Sequence, residues 1–415
     1  MKYPKYKIFT WSLYDFANTI FSMNVVSLNF PLMIKNDYQG ADLALSIARS
    51  SSMILVALSL PLAGIVADKF RRRMPLAMLF TITCCLATAM LGKMNSMILE
   101  LTLFALAIYS YQAALVFYDA ILPQVAPPGR LGRVSGYGVA LGYVGTIFGL
   151  AVIGSLSGPR AYSTAFTWTA AFFLIFSLPF FLTIKDQNPL PLTGLWRMTI
   201  ESIRRISDVY KDAKSRKGIL RFLAGRFFVV EALETIIFFM AIFLSEAGGF
   251  SDDVAVFGNL NEITVFLLVV TVFTVAGSLL WGFITERIGP RDALLGTVLL
   301  WVLTLTGFVF YSNKSVYYLL GSLAGISLGG VWTAERPLLI NLVGDNDRLA
   351  GYFGLFALTG RMAAVIGPLI WGLTVVVFGS LGPVKYRFAV ASVLIMMMIG
   401  LFILRKVPDA RNSPA

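Results

Sequence analysis

The 415-residue sequence predicts an all-α polytopic membrane protein with twelve transmembrane helices in two pseudo-symmetric six-helix bundles. Three observations lead to this prediction. The composition is 57% hydrophobic and only 13% charged, which excludes a set of soluble domains. The apolar residues form continuous runs, such as 172–182 and 393–404, whereas the strands of a membrane β-barrel alternate in polarity. The third observation is an internal repeat that relates the two halves of the chain.

Apolar runs separated by charged or turn-forming residues place the helices along the chain. The hydrophobic content is enough for about twelve spans of roughly 20 residues each. The first six predicted helices cover residues 8–34, 46–67, 74–92, 97–122, 134–156 and 163–184, and the next six cover 221–245, 254–285, 292–311, 316–340, 349–378 and 386–404. We therefore expect an N-terminal bundle over 1–184, a linker over 185–217, a C-terminal bundle over 218–405 and a tail over 406–415.

The distribution of basic residues predicts the orientation in the membrane. The net charge is +12, and most of the 34 Lys and Arg fall in loops on one predicted side. The positive-inside rule then places both termini in the cytoplasm. We expect the protein in the cell (inner) membrane. We expect no nucleic-acid partner, because the charge is explained by topology. In the linker, residues 195–210 have amphipathic spacing with basic side chains, which predicts a helix on the inner membrane surface, or alternatively a regulatory partner site.

Two loops carry the same pattern 218 positions apart. The first reads GIVADKFRRR at residues 64–73, and the second reads GFITERIGPR at residues 282–291. The same displacement relates three glycines of the fifth helix to three of the eleventh: Gly136, Gly142 and Gly149 to Gly354, Gly360 and Gly367. Duplicated six-helix halves are typical of transporters that work by alternating access, with a substrate site near mid-membrane where the halves meet.

The two loops resemble the signature of the major facilitator superfamily, which has a glycine, an acid four residues later and a basic cluster. The resemblance implies a major facilitator fold. It also implies an electrostatic lock at the cytoplasmic helix ends. From its position at the end of the fourth helix, we expect Asp119 to join this lock by pairing with Arg72 or Arg73, and Glu335 can pair with Arg287 or Arg291. The acids of the two loops, Asp68 and Glu286, belong to the same predicted lock.

A narrower resemblance extends over nearly the whole chain. Residues 11–19 read WSLYDFANT, residues 117–123 read FYDAILP, residues 132–136 read GRVSG and residues 352–355 read YFGL. These segments are similar to the fungal autophagy-related vacuolar amino-acid effluxers and their prokaryotic relatives, the unknown major facilitator family. For the fungal members, this resemblance implies export of amino acids such as leucine.

Carboxylates inside predicted helices are the first candidates for function, because a charge at the membrane centre costs at least about 2.5 kcal/mol. Asp15 lies about 10 Å into the first helix, at 1.5 Å per residue, and Asn18 follows three residues later on the same face. This pair can bind an ammonium group or accept a proton. Alternatively, the two side chains belong to a structural hydrogen-bond network.

Glu231 and Glu234 are also three residues apart, on the seventh helix, which is the repeat partner of the first. Two close carboxylates repel each other, and a proton-coupled carrier needs a carboxyl group that can be protonated. We therefore expect a role in proton coupling. The alternative is that Arg226 neutralises one of them and the other faces an outer vestibule.

Arg336 on the tenth helix and Arg361 on the eleventh offer planar guanidinium groups that can hold the carboxylate of a substrate. Together with Asp15, Asn18, Glu231 and Glu234, they form the predicted set for substrate binding or proton coupling. Glu335 has two alternatives, substrate binding beside these arginines or the cytoplasmic lock.

These features predict a secondary active transporter for a small polar or zwitterionic metabolite, with amino acids as the expected class and protons as the expected coupling ion. The sequence has no nucleotide-binding glycine loop and no recognisable enzyme motif. It has no histidine, and its two cysteines are adjacent, so we expect no metal and no other cofactor. The alternatives are a broad drug or lipid efflux carrier, or a transport-inactive receptor on the same fold. We expect a monomer in the lipid bilayer.

Overall fold

A computed structural model describes residues 5–38, 42–70, 73–127, 131–186, 211–216, 218–344 and 349–408. Twelve helices in these ranges are long and apolar enough to cross a membrane, as predicted. In the first half they are α1 (Lys5–Asp37), α2 (Asp42–Phe70), α3 (Arg73–Met90), α4 (Met97–Val125), α5 (131–157) and α6 (Tyr162–Thr183). In the second half they are α7 (Ile219–Glu246), α8 (Glu262–Ile288), α9 (Pro290–Phe310), α10 (Lys314–Val343), α11 (Leu349–Val377) and α12 (Lys385–Leu404).

The chain divides into two compact units. The first comprises residues 1–199 together with 251–268, and the second comprises 200–250 together with 269–415. Helix α7 therefore belongs to the second unit, but the segment that follows it packs with the first. The predicted surface helix at 195–210 and the end of the tail lie outside the described residues.

Helices α1 and α7 are the most enclosed helices of their units. In the best apolar window of each, 78% of the residues are buried, against at most 50% in any other span. The other helices expose large apolar side chains such as Leu182, Leu279 and Phe402 on one face. A helix that is apolar on all sides is buried in a core, and a helix with an exposed apolar face in a membrane protein meets lipid. The site is therefore built around α1 in the first unit and α7 in the second.

Glycines on α5 allow it to pack closely against α1. A Cβ at Gly145 would overlap the Phe16 carbonyl, and a Cβ at Gly142 would come within 3.2 Å of the Thr19 side chain. The Thr19 hydroxyl uses this proximity and donates to the Gly142 carbonyl at 2.7 Å. Small residues at a crossing bring two backbones together and give polar side chains access to them.

The same relationship recurs in the second unit between α7 and α11. A Cβ at Gly360 would lie 3.0 Å from the Arg226 guanidinium, and one at Gly367 would overlap the Thr235 hydroxyl. Because Gly142 and Gly149 correspond to Gly360 and Gly367 in the sequence repeat, the repeat corresponds to repeated helix packing.

Helix geometry is irregular in the second half of α1 and near the C-terminal end of α5. Ser22–Asn29 of α1 and Gly149–Ile153 of α5 form wider π-helical turns. Such turns are found disproportionately at functional sites, because they interrupt the regular backbone hydrogen bonds. Asn24 lies in the first of them and donates to the Ile20 carbonyl at 3.1 Å.

One predicted helix boundary is wrong. The prediction begins the eighth helix at residue 254, but the structure places a two-stranded antiparallel hairpin there, β1 (Ala255–Phe257) and β2 (Leu260–Asn261), and α8 begins at Glu262. Gly258 has a φ of 56° at the turn, a conformation that favours glycine. The apolar residues of β1 read in sequence as a continuation of the helix, but they are exposed in the hairpin.

Candidate functional site

Asp15 and Asn18 lie together on α1, as predicted. The Asn18 amide donates to Asp15 Oδ1 at 3.0 Å. Asp15 is half-buried and Asn18 is buried. The Asp15 carboxylate lies against Gly138 of α5, where a Cβ would overlap its Oδ2 atom. The glycine at position 138 therefore leaves room for a carboxylate where α1 packs against α5.

Aromatic rings surround this part of α1. Trp11 stacks on Tyr118 with ring centroids 4.6 Å apart, and Tyr14 stacks on the same ring at 4.8 Å. The Tyr14 hydroxyl forms a hydrogen bond of 2.6 Å with Thr81, so this buried polar group is satisfied. Trp11 borders the same Gly138 position as the Asp15 carboxylate, so a stacked aromatic ring lies beside this acid.

Glu231 and Glu234 have different environments in the second unit. Glu231 is 1% exposed and accepts a hydrogen bond from the backbone N–H of Gly367 on α11. Glu234 is half-buried. The alternative in which Arg226 neutralises one of these two acids does not hold for Glu231, because Arg226 is bonded to a different acid.

Arg226 and Glu335 form a buried ion pair between α7 and α10. Arg226 Nε donates to Glu335 Oε2 at 2.8 Å, and Nη2 donates to Oε1 at 3.4 Å. The Arg226 Nη1 atom donates to the Phe356 carbonyl at 3.0 Å, and its guanidinium carbon lies 3.5 Å from the centroid of the Phe356 ring. Each of the three guanidinium nitrogens therefore donates to a partner inside the second unit.

This ion pair corrects the predicted partner of Glu335. The expectation was a lock with Arg287 or Arg291, but α10 turns Glu335 towards α7, where it is 2% exposed. Arg287 instead lies over the Phe283 ring at 4.0 Å, and Arg291 binds backbone carbonyls. Sequence reasoning identified Arg226 only as a neighbour of Glu231 and left it out of the site.

A second displacement relates Arg226 to Asp15. The two residues are 211 positions apart, and the same displacement relates Asn24, which borders Gly149, to Thr235, which borders Gly367. The displacement of 218 relates α5 to α11, but α1 and α7 are related by 211. This shift hid the correspondence.

Arg336 and Arg361 do not share the buried environment of the Arg226–Glu335 ion pair. Arg336 is exposed on α10, next to the buried Glu335, and Arg361 is half-buried on α11, next to Gly360. Both side chains are therefore more exposed than that of Arg226, which is 6% exposed.

The structure describes only part of the predicted cytoplasmic lock. Arg72 lies outside them, as does the side chain of Asp68. Arg73 Nη1 donates to the Ala120 carbonyl at 2.5 Å, next to Asp119, which is exposed.

In the second loop, Glu286 is exposed and forms no hydrogen bond or ion pair with any described residue, so the expected pairing of this acid is not found there. Arg291 donates to the carbonyls of Val407 at 2.7 Å and Arg405 at 2.8 Å, beyond the end of α12. The last carbonyls of a helix lack partners within the helix, which explains why a guanidinium binds there.

In the first unit, the corresponding contact between the loop and the end of the sixth helix is made by Asp186, which lies just after α6. Its carboxylate accepts the backbone N–H groups of Arg73 at 3.1 Å and Met74 at 3.2 Å, at the start of α3. In both units, the loop motif therefore fastens the end of the sixth helix of its own unit.

A polar cluster at the other end of the first unit was missed by sequence reasoning. Asp252 is 3% exposed and accepts hydrogen bonds from Arg160 and Asn36, both at 2.7 Å, and Lys35 Nζ lies 3.9 Å away. Asp253 is exposed and lies 3.6 Å from Arg160. The two adjacent acids, flanked by glycines and a serine, were the signal in the sequence.

The charges of this cluster stabilise one another. The hydrogen bond to Asp252 raises the pKa of Arg160. The pKa of Asp253 is lowered, first by the Ser251 hydroxyl and then by Arg160. Arg160 also has a φ of 55°, unusual for a residue with a side chain, so the chain accepts a strained backbone here to present the guanidinium.

The second unit contains an apolar cavity of about 330 Å³ between α7 and α11. Its lining residues are Leu220, Leu223, Ala224, Phe227, Phe228, Leu355 and Thr359. Among the described residues, no group of three or more Cys, Asp or Glu is arranged to hold a metal ion.

Comparisons with known proteins agree with this architecture. Residues 42–414 match the family described as vacuole effluxer Atg22 like. An uncharacterized MFS-type transporter of Bacillus subtilis, YxiO, is 26% identical, with 97% of this chain and 95% of the relative covered. Autophagy-related protein 22 of Yarrowia lipolytica is 26% identical over 68% of this chain, which spans about half of that longer protein (51%).

Solved structures show the same fold. A bacterial homolog of the human lysosomal transporter Spinster, in an inward-facing and occupied conformation, superposes with a TM-score of 0.75 at 14% identity, and both chains are covered completely. The nucleoside transporter NupG gives a TM-score of 0.73 at 15% identity, with 96% of this chain and 98% of that chain covered. The expected major facilitator fold is thus confirmed, and the chain belongs to the Atg22-like vacuole effluxer family of MFS-type transporters.

Proposed function

We propose that this protein is a secondary active transporter that exports or exchanges a small zwitterionic metabolite, with amino acids as the substrate class, by alternating access. The observation that carries the proposal is the half-buried Asp15 beside Asn18 on the most enclosed helix of the first unit. A carboxylate inside a spanning helix is costly, and carboxylates that are kept in such helices commonly mark a substrate or ion pathway.

The chemistry of each group fits this class of substrate. Asp15 Oδ atoms and the Asn18 carbonyl can accept hydrogen bonds from an ammonium group, and the glycine at position 138 leaves the carboxylate room. For the substrate carboxylate, the exposed Arg336 and the half-buried Arg361 remain the proposed donors, since Arg226 is occupied by Glu335. A fork of two N–H groups matches a carboxylate in shape and charge.

The energy source in this proposal is a proton gradient, with Glu231, Glu234 and Asp15 as the candidate proton carriers. Glu231 supports it best, because it is a buried carboxyl group that bonds to a backbone N–H rather than to a described basic side chain. If Glu231→Gln and Glu234→Gln both left pH-dependent transport intact, proton coupling through these acids would be wrong.

The test of transport is counterflow of labelled amino acids into proteoliposomes. We expect saturable uptake by the wild type and a loss of at least about tenfold in Asp15→Asn, the effect of removing one charge-assisted hydrogen bond. Asp37→Asn is the matched control, because Asp37 is an exposed acid on the same helix and should leave uptake unchanged. Wild-type uptake of no amino acid would overturn the substrate class.

A second candidate function is broad efflux of lipophilic compounds, and the apolar cavity between α7 and α11 favours it. A cavity lined by leucine and phenylalanine binds an apolar ligand through burial of its surface. Competition by lipophilic compounds alone, with no effect of amino acids, would support this candidate. Absence of any transport would support a receptor that uses the same fold.

We propose that both termini face the cytoplasm, that the linker helix at 195–210 lies on the inner surface of the cell membrane, and that the transporter is a monomer. Cysteine labelling from each side of oriented vesicles tests the orientation, with a single cysteine at position 2 and another in the tail.

A further inference from the structure

Three groups meet at the crossing of α7 and α11 in the second unit. Glu231 and Thr235 are four residues apart and therefore lie on the same face of α7, where both are at most 1% exposed. The Gly367 backbone N–H of α11 donates to Glu231 Oε1. The Thr235 hydroxyl has no hydrogen-bond partner among the described residues.

Gly367 brings these groups together. A Cβ at this position would overlap Thr235 Oγ1 and would lie 3.2 Å from Glu231 Oε1, so both oxygens border the same small space. A buried hydroxyl without a partner is unusual, because it loses its bonds to water and gains none in return. The unpaired hydroxyl and the carboxyl group therefore share a site that any side chain at 367 would fill.

The residue after Gly367 weakens α11 at this point. Pro368 has no N–H, so it gives no hydrogen bond to the carbonyl of Ala364 one turn earlier, and its ring crowds that turn. The Gly367 N–H, on the preceding residue, bonds to a side chain of another helix. Kinks in long helices are found at such places, where a proline or an inserted side chain interrupts the backbone bonds.

The charges around Glu231 are accounted for on every helix packed against it. On α7, Arg226 is bonded to Glu335 of α10, Glu234 is half-buried, and Arg221 and Glu246 lie near the helix ends. On α10, Arg336 is exposed and Lys314 is the first residue. On α11, Arg361 is nearly two turns before Gly367, and on α12 the charged residues Lys385 and Arg387 lie in the first turn. Glu231 forms no ion pair with a described residue, so its protonation is not tied to one fixed cation.

The hydroxyl of Thr235 allows the same space to satisfy both forms of the carboxyl group. In the ionised form, Glu231 accepts the bond from Gly367, and a small rotation would let it accept a second one from the Thr235 O–H. In the neutral form, a proton from water has formed an O–H bond on Glu231, and this O–H can donate to Thr235 while the other oxygen still accepts from Gly367. A threonine hydroxyl serves as donor or acceptor by rotation alone.

We infer that Glu231, Thr235 and Gly367 form a proton-binding site and that its two forms set the local structure of α11 at Gly367-Pro368. The charged form binds the Gly367 N–H more strongly than the neutral form does, since a bond to an ionised acceptor is about twice as strong. Loss of the charge therefore loosens the attachment of α11 next to its proline. The inference names the coupling site of the proposed transporter and rests on that function.

Infrared difference spectroscopy of the purified protein between high and low pH tests the site without any substrate. We expect a carboxylic C=O band that appears at low pH in the wild type and is lost in Glu231→Gln. The band should remain in the control Glu286→Gln, since Glu286 is exposed. Thr235→Val should move the band to higher frequency, because the acid loses its partner, and Thr235→Ser should restore it.

Hydrogen exchange measured on the same samples tests the link to α11. After correction for the intrinsic effect of pH, exchange in the peptide around residue 367 should be about tenfold faster at low pH in the wild type and independent of pH in Glu231→Gln. A band that survives Glu231→Gln, or that Thr235→Val leaves in place, would overturn the site. Exchange without pH dependence would overturn the link. Neither measurement uses transport. Both results can therefore be interpreted even if the protein transports no amino acid.

Discussion

Asp15 and Arg226 occupy equivalent positions in the two units but carry opposite charges. Each lies on the most enclosed helix of its unit, and the two contact α5 and α11 at positions that the 218-residue repeat relates, Gly138 and Phe356. The position that corresponds to Glu335 in the first unit is Phe117, which cannot form an ion pair. The duplication has therefore kept the packing and changed the electrostatics, with a fully bonded guanidinium in the second unit and a half-buried carboxylate in the first.

The Arg226–Glu335 ion pair is predicted to be essential for the stability of the second unit. Glu335→Gln leaves the buried guanidinium without its counter-charge, so we expect a loss of about 3–5 kcal/mol in the free energy of unfolding. The double variant Arg226→Met with Glu335→Met should recover most of the loss, because no unpaired charge remains. Denaturant unfolding in detergent measures both. The prediction fails if Glu335→Gln is as stable as the exposed control Glu286→Gln.

The crossing of α1 and α5 is predicted to require glycine at position 145. A methyl group there would overlap the Phe16 carbonyl, so Gly145→Ala should force the helices apart and cost about 1–3 kcal/mol. Gly136 lies on the same helix and has open space where a Cβ would lie, so Gly136→Ala should be neutral or stabilising by up to about 1 kcal/mol. Thermal unfolding of the two variants in one detergent compares them directly. Equal melting temperatures would contradict the close packing.

Much of this architecture could be predicted from the sequence, because spanning helices and basic loops are local features. The apolar runs identified twelve spans, and the spacing of Asp15 and Asn18 placed both on one face of α1, where the structure has them. The hairpin at 255–261 was missed because a strand of three apolar residues is too short to show an alternating period. Only the Gly258-Asn259 pair signals the turn.

The partner of Glu335 could not be found by the same means. Arg226 is 109 positions before it, and the ion pair depends on how α7, α10 and α11 turn about their axes. Proximity in sequence favoured Arg336, and the loop motif favoured Arg291. A contact between three helices is set by the packing of large side chains such as Phe356, which no spacing rule describes.

Arg291 is predicted to hold the end of α12 rather than to form a charge lock. Its guanidinium donates to the carbonyls of Arg405 and Val407, so Arg291→Gln should lower the free energy of unfolding by about 1–2 kcal/mol and speed proteolysis of the tail. Arg287→Gln is the matched control, since Arg287 is exposed and contacts only the Phe283 ring among the described residues. A larger effect of Arg287→Gln than of Arg291→Gln would favour the charge lock.

Asp252 is predicted to fasten residues 251–261 to the rest of the first unit. Asp252→Asn removes the ion pairs with Arg160 and Lys35 from a carboxylate that is 3% exposed. Hydrogen exchange of this segment should become about tenfold faster, the effect of about 1.4 kcal/mol. Asp253→Asn is the control, because Asp253 is exposed and its bridge to Arg160 is longer, at 3.6 Å.

The cluster around Asp252 should stabilise residues 251–261 equally well across the physiological pH range. Because the pKa of Arg160 is raised, its contribution to folding stability is fully present below the usual arginine pKa. It is lost only as the pH rises through the higher pKa of the folded state. Because the pKa of Asp253 is lowered, its contribution to folding stability is present above about pH 4 and is lost only as the pH falls further. Neither group titrates between about pH 5 and pH 9. Corrected exchange rates of residues 251–261 should therefore be flat over this range, so a pH response of transport found there must come from other groups, such as Glu231.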